Sequence, residues 1–179
     1  PISQVARALT ALEDYHFPIN LNDTSRGFFQ NWSVAAPAED RPLLDALASY
    51  QPGDAEPASL PLNVYYNSLA RTTCVATQLD GGHAENALPQ KAKAVVNCRI
   101  FPGVPVETVR DALVAAIGDS GVAVTTMDTP EASPVSEMRP DVMKAITRAV
   151  HDKYPGVPVV PYLESGGTDG KVYRTAGIP

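Results

Sequence analysis

The sequence is poor in the residues that metal and nucleophilic chemistry draw on. Its 179 residues include three histidines and two cysteines. None of His16, His83 and His151 stands in a His-x-Asp or His-Glu-x-x-His context, and no two glutamates are adjacent. No complete metal-ligand set is therefore legible in the chain. A Gly-x-Ser-x-Gly elbow and a catalytic-cysteine context are missing too. No run of Lys and Arg exceeds two residues, and the net charge is −6, which argues against nucleic acid as a partner. No apolar stretch approaches membrane-spanning length. The opening PISQVARALTAL has neither the basic nor the apolar region of a signal peptide. It also lacks an initiator Met, and the chain closes on Gly-Ile-Pro. The sequence is thus expected to begin and end inside a larger protein, and its compartment is left unassigned.

Hydrophobic residues make up 44% of the chain, enough to build a core. Residues 2–13 carry Ile2, Val5, Leu9 and Leu12 at helical spacing. His16–Asn22 reads as extended, and Asp23 or Thr24 can cap a short helix bearing Phe28, Phe29 and Trp32. Residues 35–61 are rich in Ala and Pro and read as an insertion or irregular connection, with a short helix near Leu43–Ser49. Leu69–Leu79 reads as a strand and Lys91–Phe101 as its antiparallel partner. Pro105 suits the first turn of a helix that buries Val109, Leu113, Ala116 and Ile117. Val122–Met127 reads as a further strand. Asp128–Pro140 has a linker composition. A helix over Pro140–Lys153 is expected to turn Val142, Ile146, Ala149 and Val150 inward. An apolar strand, Val157–Leu163, then leads to a glycine turn and a helical start. The reading is an α+β module over 1–130, followed by a fragment of an α/β domain over 131–179. Cys74 and Cys98 fall on the two neighbouring strands and are expected as reduced, small apolar residues.

Three places carry polar groups suited to binding. Arg99 shares a strand face with Val95, Asn97 and Phe101, while Ala94, Val96, Cys98 and Ile100 form the apolar face toward the helices. A strand guanidinium can fork onto a carboxylate, though periodicity alone reads it as an exposed arginine on an open sheet. Asn86, in HAENALP, is by itself ordinary turn chemistry. Gly166-Gly167-Thr168-Asp169 follows an apolar run, and its backbone N–H groups with the Thr168 hydroxyl can hold an anion. It lacks the Lys of a phosphate loop, which disfavours nucleotide. The histidines read as structural: His16 at a loop or edge, His83 in an exposed loop, His151 near a helix C-terminus.

The order of these features is specific. RTTCVATQLDGGHAENALPQKAKAVVNCRIFPG, at Arg71–Gly103, resembles the lid or dimerisation domain of the di-zinc aminoacylase/carboxypeptidase family. That family includes carboxypeptidase G, acetylornithine deacetylase, succinyl-diaminopimelate desuccinylase and the carboxypeptidase S-like enzymes. The matching pattern is Arg71-Thr72-Thr73, Asn86 with Pro89, and Ala92 or Ala94 with Asn97 and Arg99. SGGTDGKVYRTAGIP, at Ser165–Pro179, is similar to the same family's later catalytic-domain motif. The stretch 14–66 resembles it least and looks most like the carboxypeptidase S branch.

The resemblance implies a ferredoxin-like lid, four strands with helices on one face, inserted in a zinc α/β domain and pairing into a homodimer. It implies that Arg99 holds the substrate's free carboxylate and that Asn86 reaches an active site, that of the opposite subunit in dimeric members. Gly167 and Thr168 would contact substrate, with Asp169 as a structural cap. The substrate would be a peptide or N-acyl amino acid, and the cofactor two zinc ions. The lid's first strand, its carbonyl-polarising histidine, the zinc ligands and the general-base glutamate have no counterpart in this chain. His16 and His83 do not match that histidine. The segment alone is therefore expected to be inactive, providing dimerisation and carboxylate binding. The competing expectation is a non-catalytic dimerisation or ligand-binding module.

Overall fold

A computed structural model describes residues 1–128, 132 and 134–178. In chain order the elements are α1 (Ile2–Glu13), α2 (Asp23–Trp32), α3 (Arg41–Ser49), α4 (Val64–Ala70), β1 (Thr73–Gly81), β2 (Ala92–Arg99), α5 (Val106–Ile117), α6 (Pro140–Lys153) and α7 (Gly170–Thr175). The fold class is α+β, as the sequence pattern indicates. Two compact units form, Pro1–Pro18 with Thr72–Ser133, and Ile19–Arg71 with Pro134–Pro179.

In the first unit β1 and β2 form an antiparallel pair, and α1 packs on α5 and on both strands. Phe17, Val109 and Leu113 are buried at the centre, with Leu12, Tyr15, Cys74, Cys98 and Ile100 packed around them. This places Cys98 and Ile100 on the helix side, where alternation puts them. Helix α5 begins after Pro105, which is its N-cap rather than part of its first turn. It ends at Gly118, whose φ of 62° is left-handed and whose N–H donates to the Val114 carbonyl.

Three expectations change for the strands and for the residues that lead into them. Leu69 and Ala70 belong to α4, because Asn63 accepts the Tyr66 N–H and starts a helix that runs to Ala70. The strand begins only at Thr73. Val122–Met127 is not a strand, because no described segment supplies a hydrogen-bonded partner. Cys74 and Cys98 are not reduced. They are directly opposed in the β1–β2 register, with Cα atoms 4.1 Å apart, and form a disulfide. Adjacent-strand placement is legible in the sequence, but the direct pairing depends on register, which is not.

The second unit is helical. Asn22 caps α2, one residue earlier than expected: its Oδ1 accepts the Ser25 N–H at 2.9 Å, and Ser25 Oγ accepts the Asn22 N–H at 3.0 Å. This reciprocal pair outcompetes Asp23 and Thr24 for the role. The core gathers Ile19, Phe28, Phe29, Leu69 and Ala70 with Ala36, Leu43, Leu44, Leu47 and Leu60 from the Ala- and Pro-rich stretch. Trp32 Nε1 donates to Tyr66 Oη at 3.1 Å, and Tyr66 Oη donates to Asp40 Oδ2 at 2.8 Å, linking α2 and α4 to the start of α3. Burial, foremost, pushes the Tyr66 pKa up. The Arg71 side chain is 1% exposed and pairs with Glu56 Oε1 at 2.6 Å.

Further along this unit, Val157–Leu163 is not a strand, yet Val160 and Leu163 pack on the helical core. Gly27 permits that approach, since a Cβ there would lie 3.1 Å from Pro161 Cγ. Helix α6 has the expected bounds, but it does not bury its stripe: Val142 and Ile146 are each 44% exposed. Helical periodicity defines an apolar face and says nothing of what covers it. Of the linker expected at Asp128–Pro140, residues 129–131 and 133 lie outside the described residues.

Candidate functional site

The β1–β2 arm is built so that one face is free. The register runs Thr73↔Arg99, Cys74↔Cys98, Val75↔Asn97 and Ala76↔Val96, then Gln78↔Val95, Leu79↔Ala94, Asp80↔Lys93 and Gly81↔Ala92. Opposed residues point to the same side of a sheet. Cys74, Cys98 and Ile100 pack on the helical layer, so Arg99, Asn97, Val95 and Lys93 face away from it, together with Thr73, Val75, Gln78 and Asp80. The irregularity between Ala76 and Gln78 inserts Thr77. It flips the parity of β1 and keeps this sorting intact to the end of the arm.

Arg99 is the last residue of β2 and is exposed on that free face. Phe101, expected beside it, is buried instead. The strand ends at Arg99, and alternation ends with it. Beyond that point the Phe101 N–H donates to Thr72 Oγ1 at 2.9 Å, which turns the chain inward.

Asn86 lies at the opposite end of the arm, in an exposed turn of the loop 82–91. The eight residues of β2, at ~3.3 Å each, put about 23 Å between the loop end of the strand and Arg99. The arm does not bring these two residues together around one small ligand. At the root of the loop is an open cavity lined by Asp80, Gly81, Gly82, His83, Gln90, Lys91 and Lys93. Its mixture of Lys and Asp groups arises from strand register and loop closure, for which the sequence carries no motif.

Gly167 and Thr168 are adjacent and exposed in the second unit. The turn before them is already engaged by its own chain: Glu164 Oε1 accepts the Gly166 N–H at 2.8 Å. The amide at Gly166 is thus taken by the chain itself. Asp169 stands at the N-cap position of α7 but makes no side-chain capping bond, because its backbone is itself helical, with φ −60° and ψ −21°. Among the described residues, no group of three or more His, Cys, Asp and Glu side chains is placed to hold a metal ion. His16 and His83 are exposed, and His151 Nε2 lies 2.9 Å from the Val157 carbonyl. No helix among the described residues is long and apolar enough to cross a membrane.

Comparison with known proteins matches residues 1–125 to the peptidase dimerisation domain of the M20 group. The N-fatty-acyl-amino acid synthase/hydrolase PM20D1 of Xenopus tropicalis is 32% identical over 116 residues, 63% of this chain and 22% of that protein. The human protein of the same name is 28% identical over 121 residues, 65% of this chain and 24% of its own length. Probable carboxypeptidase S-like 2 of Dictyostelium discoideum is 27% identical over 108 residues, 60% of this chain and 21% of that protein. The matched stretch thus spans less than a quarter of these relatives. No solved structure matches.

Proposed function

The chain belongs to the M20 peptidase dimerisation-domain family, and from that premise we propose that it is the dimerisation and carboxylate-binding segment of a zinc-dependent amidohydrolase. The substrate class is an N-acyl amino acid or peptide with a free carboxylate. Similarity to N-fatty-acyl-amino acid synthase/hydrolases and to carboxypeptidase S-like proteins supports this class. Residues 1–130 are the ferredoxin-like lid, and 131–179 is a fragment of the catalytic domain.

The observation that carries the reading is the layout of the arm. An exposed guanidinium stands at one end, on a face free of the helices, and Asn86 at the other, about 23 Å of strand away. One small substrate cannot span that distance. Two copies of the chain in a homodimer give the two ends separate roles. Arg99 forks onto a carboxylate, and Asn86 reaches the partner's site. Gly167 and Thr168 add polar contacts to substrate. The described residues gather no donor set for zinc. The reading gives this chain substrate binding and assembly.

In the full-length protein, Arg99→Ala removes a bidentate, charge-assisted contact and should lower kcat/KM for a carboxylate-bearing substrate by about 10- to 100-fold. An amide-capped analogue of the same substrate should be affected far less. Equal kcat/KM for wild type and variant on the free acid would sink the clamp. Metal analysis of the purified full-length protein tests zinc, and a metal-free, inactive protein would favour a non-catalytic dimerisation module.

A further inference from the structure

The outer part of the arm that presents Arg99 has little in its side chains to fix its own register, since residues 75–81 are all exposed. Its connecting loop, 82–91, is longer than the hairpin loops of about two to five residues whose turn type dictates pairing. Apolar sorting is weak as well. Val75 and Leu79 are 62% and 64% exposed although they lie on opposite faces by register, and beyond the Ala76↔Val96 pair the helix face offers only Leu79, Gly81, Ala92 and Ala94. A one-residue slip of β2 would carry Lys93, Asn97 and Arg99 to the helix face and take Val96 and Cys98 off it. Packing therefore opposes it beside the helices, and opposes it least in the outer arm, where residues 75–81 are all exposed. β1 already contains one such irregularity, at Ala76/Gln78. At the inner end, the Phe101 N–H to Thr72 Oγ1 bond supports the observed register. It is a single, buried hydrogen bond.

We propose that the Cys74–Cys98 disulfide is the register pin of this arm and the positioning element for Arg99. The two sulfurs join directly opposed residues, one position from the Thr73↔Arg99 pair, and both cysteines pack against Phe17, Val109 and Leu113. With the bond in place, the strands cannot slip past one another at that point. Arg99 is held on the open face with Thr73 opposite. The bond forms when the two thiols give up two protons and two electrons to a disulfide-donating oxidant, which leaves as a dithiol. The protein would therefore mature where such an oxidant is available.

The test uses the full-length protein purified without reductant, its Cys74→Val/Cys98→Val double variant, and wild type treated with dithiothreitol. Dithiothreitol supplies the two electrons and two protons and becomes a cyclic disulfide. Thiol labelling should find Cys74 and Cys98 unreactive until reduction. Amide hydrogen exchange in 73–81 and 92–99 should accelerate by about 10-fold or more in both the variant and the reduced protein. KM for a free-acid substrate should rise by about 3- to 10-fold with kcat within about 2-fold, while the amide-capped analogue is unmoved. The kinetic arm rests on the carboxylate-clamp reading of Arg99, and the exchange arm does not. If Arg99→Ala has no effect on the free acid while exchange still responds, the clamp fails and the pin stands. Cysteines that label before reduction, or exchange rates that ignore both the Val pair and reduction, overturn the pin. Should the Val pair fail to fold, the dithiothreitol comparison decides alone.

Discussion

The stretch Ile19–Arg71 and the β1–β2 arm are stabilised in opposite ways. The first looks unpromising as sequence, being rich in alanine and proline, yet it holds the best-buried side chains described: Phe29, Leu44, Leu47, Leu60 and Leu69 are each 0% exposed. The second carries the motif that marks the family resemblance, and most of its residues are exposed. The helical region draws its stability from side-chain burial. The arm relies on ladder hydrogen bonds, one apolar face toward the helices and one covalent link, which leaves its other face free of packing duties. Under the proposed carboxylate-binding role of Arg99, chemistry and folding stability are separated along the chain, since a side chain that must meet a ligand cannot also be locked into a core.

The largest expected effect would break this contrast if it failed. Phe29→Ala removes a fully buried ring and should cost about 3–5 kcal/mol, enough to unfold the second unit or lower its melting temperature sharply. Val75→Ala on the arm, at a residue 62% exposed, should change stability by about 0.5 kcal/mol or less. Calorimetry or denaturant titration of the two variants compares the regions directly. Similar losses would mean that the arm depends on side-chain packing as much as the helices do.

A second effect of up to about 3 kcal/mol comes from the buried charge beside that core. Arg71 is enclosed, and Glu56 pairs with it from a partly open position, 34% exposed. Glu56→Ala leaves the guanidinium enclosed with less compensation, whereas Glu56→Gln keeps an acceptor and should lose less. An alanine variant as stable as wild type would show that other contacts of Arg71 suffice.

How much of the molecule is legible in its sequence follows the same division. Helices α1 and α6 and the pairing of β1 with β2 are readable, because periodicities of 3.6 and 2 are local properties of the sequence. The face on which Arg99 stands is readable up to the end of the strand. Phe101 departs from expectation because nothing local says where a strand stops. The Cys74–Cys98 bond depends on register, and the bulge at Ala76/Gln78 that sets the outer register has no sequence signature. Val157–Leu163 departs for a related reason: an apolar run shows that a segment will be buried, and a strand also needs a neighbour to bond with. Among the site residues, Asn86 and Arg99 stand out through resemblance. The engagement of the Gly166 amide by Glu164 is visible only once the turn is folded.

The smallest effect is one of pH, and it bears on how far the aromatic packing of the helical unit extends to Tyr162. Tyr162 stacks on Tyr65 with ring centroids 6.3 Å apart and meets Phe28 edge-on at 6.0 Å. Burial, foremost, pushes its pKa up from 10.0 to about 12. A phenol whose pKa is raised by folding keeps its proton longer in the folded state than in the unfolded one. Its stabilising contribution is therefore complete below pH 10 and is lost as the pH climbs toward about 12. Over that window the unfolded chain ionises and the folded chain resists. Because Tyr162 is 45% exposed, solvent screens the effect and it should be modest. An ultraviolet titration of tyrosinate should show a late-ionising phenol that disappears in Tyr162→Phe, and the variant should lose less stability than wild type over the same pH range. A Tyr162 that ionises with the exposed tyrosines would place it outside the packed aromatic group, and would confine that group to Phe28, Phe29, Trp32, Tyr65 and Tyr66.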